Sequence, residues 1–158
     1  MNARVTALPG GRLIEPEELL EIAVDAGRDY LRRQWRLAER DGERSWVRLF
    51  RADGLGVWAL GRHSLPPRTA YLDHERIRGA VFVARGALTH ARARLGSAPH
   101  TDEVGAGRGF RFDETFYHRM HAVRDAGPTV TVHVFASPGP DAVDYDGPPD
   151  PALRLGLP

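Results

Sequence analysis

Three histidine-bearing segments carry the residue types from which chemistry is made. In "TVTVHVFA", residues 129–136, the alternation of a strand puts Val130, Val132 and Val134 on one face. Thr129, Thr131, His133 and Phe135 share the other. In "RMHAVRD" the same period groups Arg119, His121, Val123 and Asp125, and in "YLDHER" it groups Leu72, His74 and Arg76. If these strands are neighbours, His74, His121 and His133 converge. Two or three imidazoles from separate strands make a mononuclear site for iron, nickel, copper or zinc. A lone strand histidine is ordinarily a satisfied or half-exposed residue, so the pattern matters only where the fold brings the strands together. Three valines form a core face. A Thr-His-aromatic row needs solvent or a polar cavity, and in a closed barrel one face of each strand lines the lumen.

The elements around these segments predict such a barrel. "SWVRLFRADGLGVWALGR" reads as strand, turn, strand. "PPRTAYLDHE" opens a third strand, and "GAVFVARGALTHARARLG" supplies two more with a sharp break at Arg85-Gly86. "GRGFRFDETFYHRMHAVRDAGPTVTVHVFASP" supplies the last ones, with "RDAGP" as a turn. Short strands between turn signals indicate an all-β sandwich or small barrel over residues 45–138. Ahead of it, Pro16 fits a first helical turn, and Glu15, Glu17 and Glu18 suit the positive end of a helix dipole. Leu19, Leu20, Ile22, Ala23 and Ala26 recur at helical spacing. A second helical stretch is expected over about Arg28 to Arg40, with Tyr30, Leu31, Trp35 and Leu37 packing on the sheet, so that N-terminal helices fill residues 15–41. The Pro/Gly/Asp-rich stretch 139–158 reads as an extended tail.

The chain has 158 residues, the size of one ordinary domain. Its 22 basic and 21 acidic residues leave a net charge of +1, which gives no support for a nucleic-acid or membrane partner. All the basic residues are arginine, which suits bidentate carboxylate binding as well as a biased composition. There is no cysteine, so a disulfide scaffold, a zinc ribbon or a cysteine nucleophile is excluded. Any metal must sit on histidine, carboxylate or water. No apolar signal core or spanning segment is present in the sequence, and cytoplasm is the default location. No exposed apolar strand argues for an oligomer interface.

From Trp46 to Pro138 several motifs occur in a telling order: "WVRLF", then "LPPRTAYLDHERIRGAVFVARGALT", then "HAVRD", then "TVHVFASP". In these the chain resembles the cysteine dioxygenase family of thiol-oxidising cupins. The resemblance implies a cupin-type jelly-roll barrel with N-terminal helices. It also implies a ferrous ion on three histidines, a substrate thiolate and dioxygen at its open positions, and an arginine on the substrate carboxylate. Carried over by motif, His74 matches the second metal histidine and His121 the third. Arg48 matches the carboxylate-binding arginine, and Thr131, His133 and Phe135 stand at the family's Ser, His and Tyr positions. Gly79 stands where some members carry a cysteine cross-linked to that tyrosine.

Two departures fall at the centre of the implied site. The first metal ligand is Leu72, which has no donor atom, and Phe135 lacks the tyrosine hydroxyl. The Fe(II) ligand set is therefore incomplete on the family pattern, and another transition metal or none is the alternative. His133 substitutes best by parity. Glu75 and His118 need a bulge or bend, and His90, His100, Asp102 and Glu103 need favourable loop geometry. Arg76, on the face of His74, would add positive charge, repelling a dication and attracting an anion. Two classes of function follow. One is an enzyme oxidising a small carboxylate-bearing thiol, such as cysteine or a mercapto acid. The other is a metal-free cupin that binds a small anion through Arg48, Arg76 and His133 as a sensor or accessory protein. A rebuilt site running decarboxylation or isomerisation is a variant of the first.

Overall fold

The computed structural model describes residues 14–33, 45–52, 55–62, 72–73, 78–94, 96–113, 115 and 117–136. In chain order the elements are α1 (Pro16–Arg33), β1 (Ser45–Ala52), β2 (Leu55–Arg62), β3 (Leu72–Asp73), β4 (Arg78–Arg85) and β5 (Ala87–Ala93). They continue with β6 (His100–Gly105), β7 (Gly109–Phe112), β8 (Tyr117–Ala122), a 3-10 turn (Arg124–Ala126) and β9 (Thr129–Ala136). Two sheets form, with strand orders β1-β2-β9-β4-β7 and β3-β8-β5-β6, and every ladder is antiparallel.

The helix begins as its sequence dictates. The Glu15 N–H donates to Glu18 Oε2 at 3.0 Å, one half of a capping box, and the Glu15 carbonyl accepts the first helical bond from Leu19 at 3.1 Å. Glu15 also pairs with Arg78 at 3.1 Å and Glu17 with Arg111 at 2.8 Å, which ties the helix start to β4 and β7. The carboxylates of both pairs are largely exposed, so each is worth about 1 kcal/mol or less. The main stabilisation is apolar. Leu19, Ala23 and Tyr30 are buried against Ala80, Phe82 and Ala84 of β4 and Val130, Val132, Val134 and Ala136 of β9. Burying one leucine-sized side chain contributes about 1.5–3 kcal/mol.

Where the pattern reads two helical stretches, one helix runs unbroken through Gly27 to Arg33. Trp35 and Leu37 lie outside the described residues, as does the tail. Gly27 does not break the helix because it serves packing: a Cβ there would overlap the ring of Phe82. Phe82 is itself held at 4% exposure between helix and sheet. Of the expected third strand, Leu72–Asp73 is described, paired to Tyr117 and His118. β6 is mostly polar and exposed, with Val104 alone buried, and its ladder to β5 holds it as an edge strand. Among the described residues no helix is long and apolar enough to cross a membrane.

Replacing glycine by alanine inside a helix ordinarily stabilises by about 1 kcal/mol. Gly27→Ala is expected to do the opposite, lowering stability by about 1–3 kcal/mol through overpacking against Phe82. The urea unfolding midpoint reads the sign directly.

Candidate functional site

β9 is buried along its whole length. Its valines face the helix, and its other face looks into the space between the sheets. That interior is built from Val81 and Val83 of β4, Leu88 of β5, Val104 of β6, Phe112 of β7 and Phe135 of β9, with Phe110 and Met120 packed against them. Thr131 and His133 are buried on the same face of β9 as Phe135, at 1% and 3% exposure. Thr131 Oγ1 and His133 Nε2 share a hydrogen bond of 2.8 Å. An imidazole in an apolar interior requires such a partner, because an unsatisfied buried polar group costs about 1–3 kcal/mol. The ring of Phe135 lies 6.0 Å from His133 and meets Phe112 edge-on at 6.1 Å. Thr131, His133 and Phe135 thus form one continuous wall.

Cross-strand register extends this wall sideways, since residues directly opposite on antiparallel strands share a face. His133 pairs with Trp58 on one side and Val81 on the other; Trp58 pairs with Arg48, and Val81 with Phe110. Arg48 therefore occupies the same row as His133. One row along, Phe135 pairs with Gly56 and with Gly79, and Gly79 pairs with Phe112. The ring of Phe112 fills the space above Gly79, where any Cβ would collide with it. Beside Gly79 the interior is closed by the phenyl rings of Phe112 and Phe135.

The histidines distribute differently from one another. His74 and Arg76 lie outside the described residues. His121 is half-buried, and it pairs with Thr89, which pairs with exposed Glu103. The alternate rows of the same sheet are Ala122–Leu88–Val104 and Met120–His90–Asp102, and these contribute the interior residues. The register does not bring His121 onto the face of His133. His118 holds the parity of Met120 and stands opposite Leu72. The signal for this was present in "YHRMHA": its apolar residues, Met120 and Ala122, alternate in phase with His118 and out of phase with His121.

His90 is the residue that sequence reasoning undervalued. It is 2% exposed and stacks on Phe110 with centroids 3.7 Å apart and planes 13° from parallel. Burial, assisted by the charge of Arg92 and opposed by Asp102, lowers its pKa from 6.5 to about 4. It is a neutral imidazole at physiological pH. His100 and Arg92 instead meet Asp102 near the surface, at 3.0 and 3.6 Å. Among the described residues no three histidine, aspartate or glutamate side chains are grouped to hold a metal ion.

No protein-family model matches the chain, and no curated protein matches its sequence. Solved structures do resemble it. The FeII form of HppE aligns at a TM-score of 0.51 and 16% identity, over 63% of this chain and 54% of that one. The CoII form in complex with Tris buffer aligns at 0.50 and 15%, over 63% and 60%. The cupin domain of Schizosaccharomyces pombe Cnp3 aligns at 0.50 and 8%, over 66% and 70%. The chain spans about six-tenths or less of the two HppE chains. At these identities the likeness is one of fold: an all-β, cupin-type barrel with an N-terminal helix.

Because the folded pKa of His90 lies below its unfolded value, the native state binds fewer protons than the unfolded chain between pH 6.5 and about 4. The contribution of neutral His90 is complete above pH 6.5 and is lost as pH falls toward 4, by about 3 kcal/mol. Urea midpoints across that window should fall more steeply for the native protein than for His90→Leu.

Proposed function

We propose that the barrel interior binds a small carboxylate-bearing molecule, with Arg48 gripping the carboxylate and the Thr131–His133 pair forming the polar wall beside it. The observation that carries this reading is the cross-strand row Arg48–Trp58–His133, which sets an arginine position and a buried imidazole at one level of one sheet. A guanidinium offers a planar fork that matches a carboxylate, and its hydrogen bonds strengthen where water is excluded. The phenyl rings of Phe112 and Phe135 suit the apolar part of such a molecule. Arg76, by sequence two residues beyond His74, would add a second cation.

Small carboxylates are expected to raise the unfolding temperature of the native protein at constant ionic strength, where chloride does not. Arg48→Gln should abolish that shift while leaving the ligand-free unfolding temperature within a few degrees. A carboxylate effect that survives in Arg48→Gln would rule out this role for the arginine.

A second reading makes this molecule a thiol oxidised at a ferrous ion, as the resemblance to the cysteine dioxygenases implies. What favours it is the pairing of Leu72, at the first ligand position, with His118 on the neighbouring strand. In that reading His74, with His121 as the sequence motif suggests or His118 as the register favours, would hold the metal. The metal would supply open positions for the thiolate and dioxygen, and Arg48 would orient the substrate. Leu72 offers no donor and Phe135 no hydroxyl, so the third ligand would come from elsewhere. Elemental analysis of untagged protein after anaerobic loading with ferrous iron tests it. Near one iron per chain, lost in His74→Ala and in one of His118→Ala and His121→Ala, is the expected result. No iron in the native protein under those conditions leaves the carboxylate-binding barrel alone.

A further inference from the structure

β1 carries a second arginine whose position depends on an irregularity in the strand. Arg48 pairs with Trp58, but Phe50 pairs with Val57 and Arg51 with Gly56, so the register shifts between Arg48 and Phe50. An extra residue stands in β1, as in a β-bulge. Leu49, at the shift, packs against the helix-side cluster, and Leu55 of β2, in phase with Val57, is buried there too. In an unbroken strand Arg51 would share the parity of Leu49 and stand on that apolar side. The bulge changes its phase. Arg51 joins the row Gly56–Phe135–Gly79–Phe112, directly beside the row Arg48–Trp58–His133–Val81–Phe110.

Two arginine positions three apart in sequence thus occupy adjacent rows of one face, about 7 Å apart along the strand direction. The residue opposite Arg51 on β2 is glycine, which contributes no bulk to that row. None of the residues in β1, β2 or β9 is acidic, so these strands bring no carboxylate to neutralise the pair. Arg62 also has this parity, opposite Thr129, but stands two rows beyond Arg48, about 14 Å away. Bulges that re-aim a side chain are concentrated beside binding sites, and two like charges in adjacent rows repel, so an anion bound between them would be stabilised by both.

We infer that Arg51 is a specificity-determining residue and that the ligand of this site carries two carboxylates, four or five carbons in all, one for each arginine. The inference rests on the carboxylate-binding reading above and narrows it from any small acid to a dicarboxylate.

Calorimetric titration of the full chain with glutarate and with butyrate, which differ by one carboxylate at similar length, tests it. Glutarate is expected to bind at least tenfold more tightly than butyrate. Arg51→Gln should bring glutarate down to the affinity of butyrate and leave butyrate within twofold of native, and Arg51→Lys should restore part of the difference. Equal binding of the two acids by the native protein overturns the inference without using any variant. So does a loss in Arg51→Gln that falls equally on both, with folding checked by the urea midpoint. If butyrate binds and glutarate gains nothing, only the dicarboxylate inference fails. If neither acid binds the native protein, the carboxylate-binding reading fails and takes this one with it.

Discussion

A strand that is buried on both faces cannot stand at an edge, and this constraint on Thr129–Ala136 organises the molecule. Its backbone groups have no water to turn to, so both sides of the strand need ladder partners. β2 and β4 provide them along its length. One face is valine and needs an apolar cover, which the helix provides with Leu19, Ala23 and Tyr30. The other face holds two threonines, a histidine and a phenylalanine, and there the second sheet closes over the interior with Leu88, Val104 and Met120. The imidazole is tolerated because Thr131 supplies a hydrogen bond within the same strand. Core, helix docking and candidate site are therefore three consequences of one alternating sequence.

The same alternation makes register decisive. A one-residue slip exchanges the two faces of a strand, and so moves functional residues between interior and exterior. β1 uses that slip constructively: the shift after Arg48 brings Arg51 into phase with it. β8 shows the opposite case. It is regular against β5, and its regularity separates His118 from His121 onto opposite faces. Gly79 and Phe112 show how closely the rows are fitted, because the ring occupies the volume that a side chain at 79 would need.

Strong period-two patterns were readable directly. "GAVFVARGALT" yields β4 and β5 with the break at Gly86, and "TVTVHVFA" yields both faces of β9. The hairpin of β1 and β2 was equally plain, but its bulge was not, since "WVRLFRA" reads as one continuous strand and only pairing with β2 exposes the extra residue. The helix start was readable from Pro16 and its acidic neighbours. Its continuity was not, because Gly27 looks like a breaker until Phe82 is seen against it. At the candidate site, the face of β9 that carries Thr131, His133 and Phe135 followed from parity alone, and the cross-strand row that sets Arg48 level with His133 came only from the ladders. The burial of His90 did not: "ALTHARA" has no polar alternation to mark it, and only the stacking on Phe110 from β7 shows where it lies.

A carboxylate site and a metal site would draw on different strands of this barrel. The first needs Arg48, Arg51 and His133, which lie on β1 and β9 in one sheet. On the cysteine dioxygenase pattern the second would need His74, which follows β3 in sequence, and a histidine of β8, a strand of the other sheet. Leu72 would offer such a metal site no donor and leaves the first sheet untouched. The charge balance points the same way. The two arginine positions carry permanent positive charge, while His90 is held neutral by burial. A site lined by both arginines, as proposed, would attract an anion first, and a dication would enter it most readily with the anion already bound, since the bound charge offsets the arginines. In the proposed reading carboxylate recognition does not depend on a metal ligand at position 72, and metal chemistry would be built on top of it.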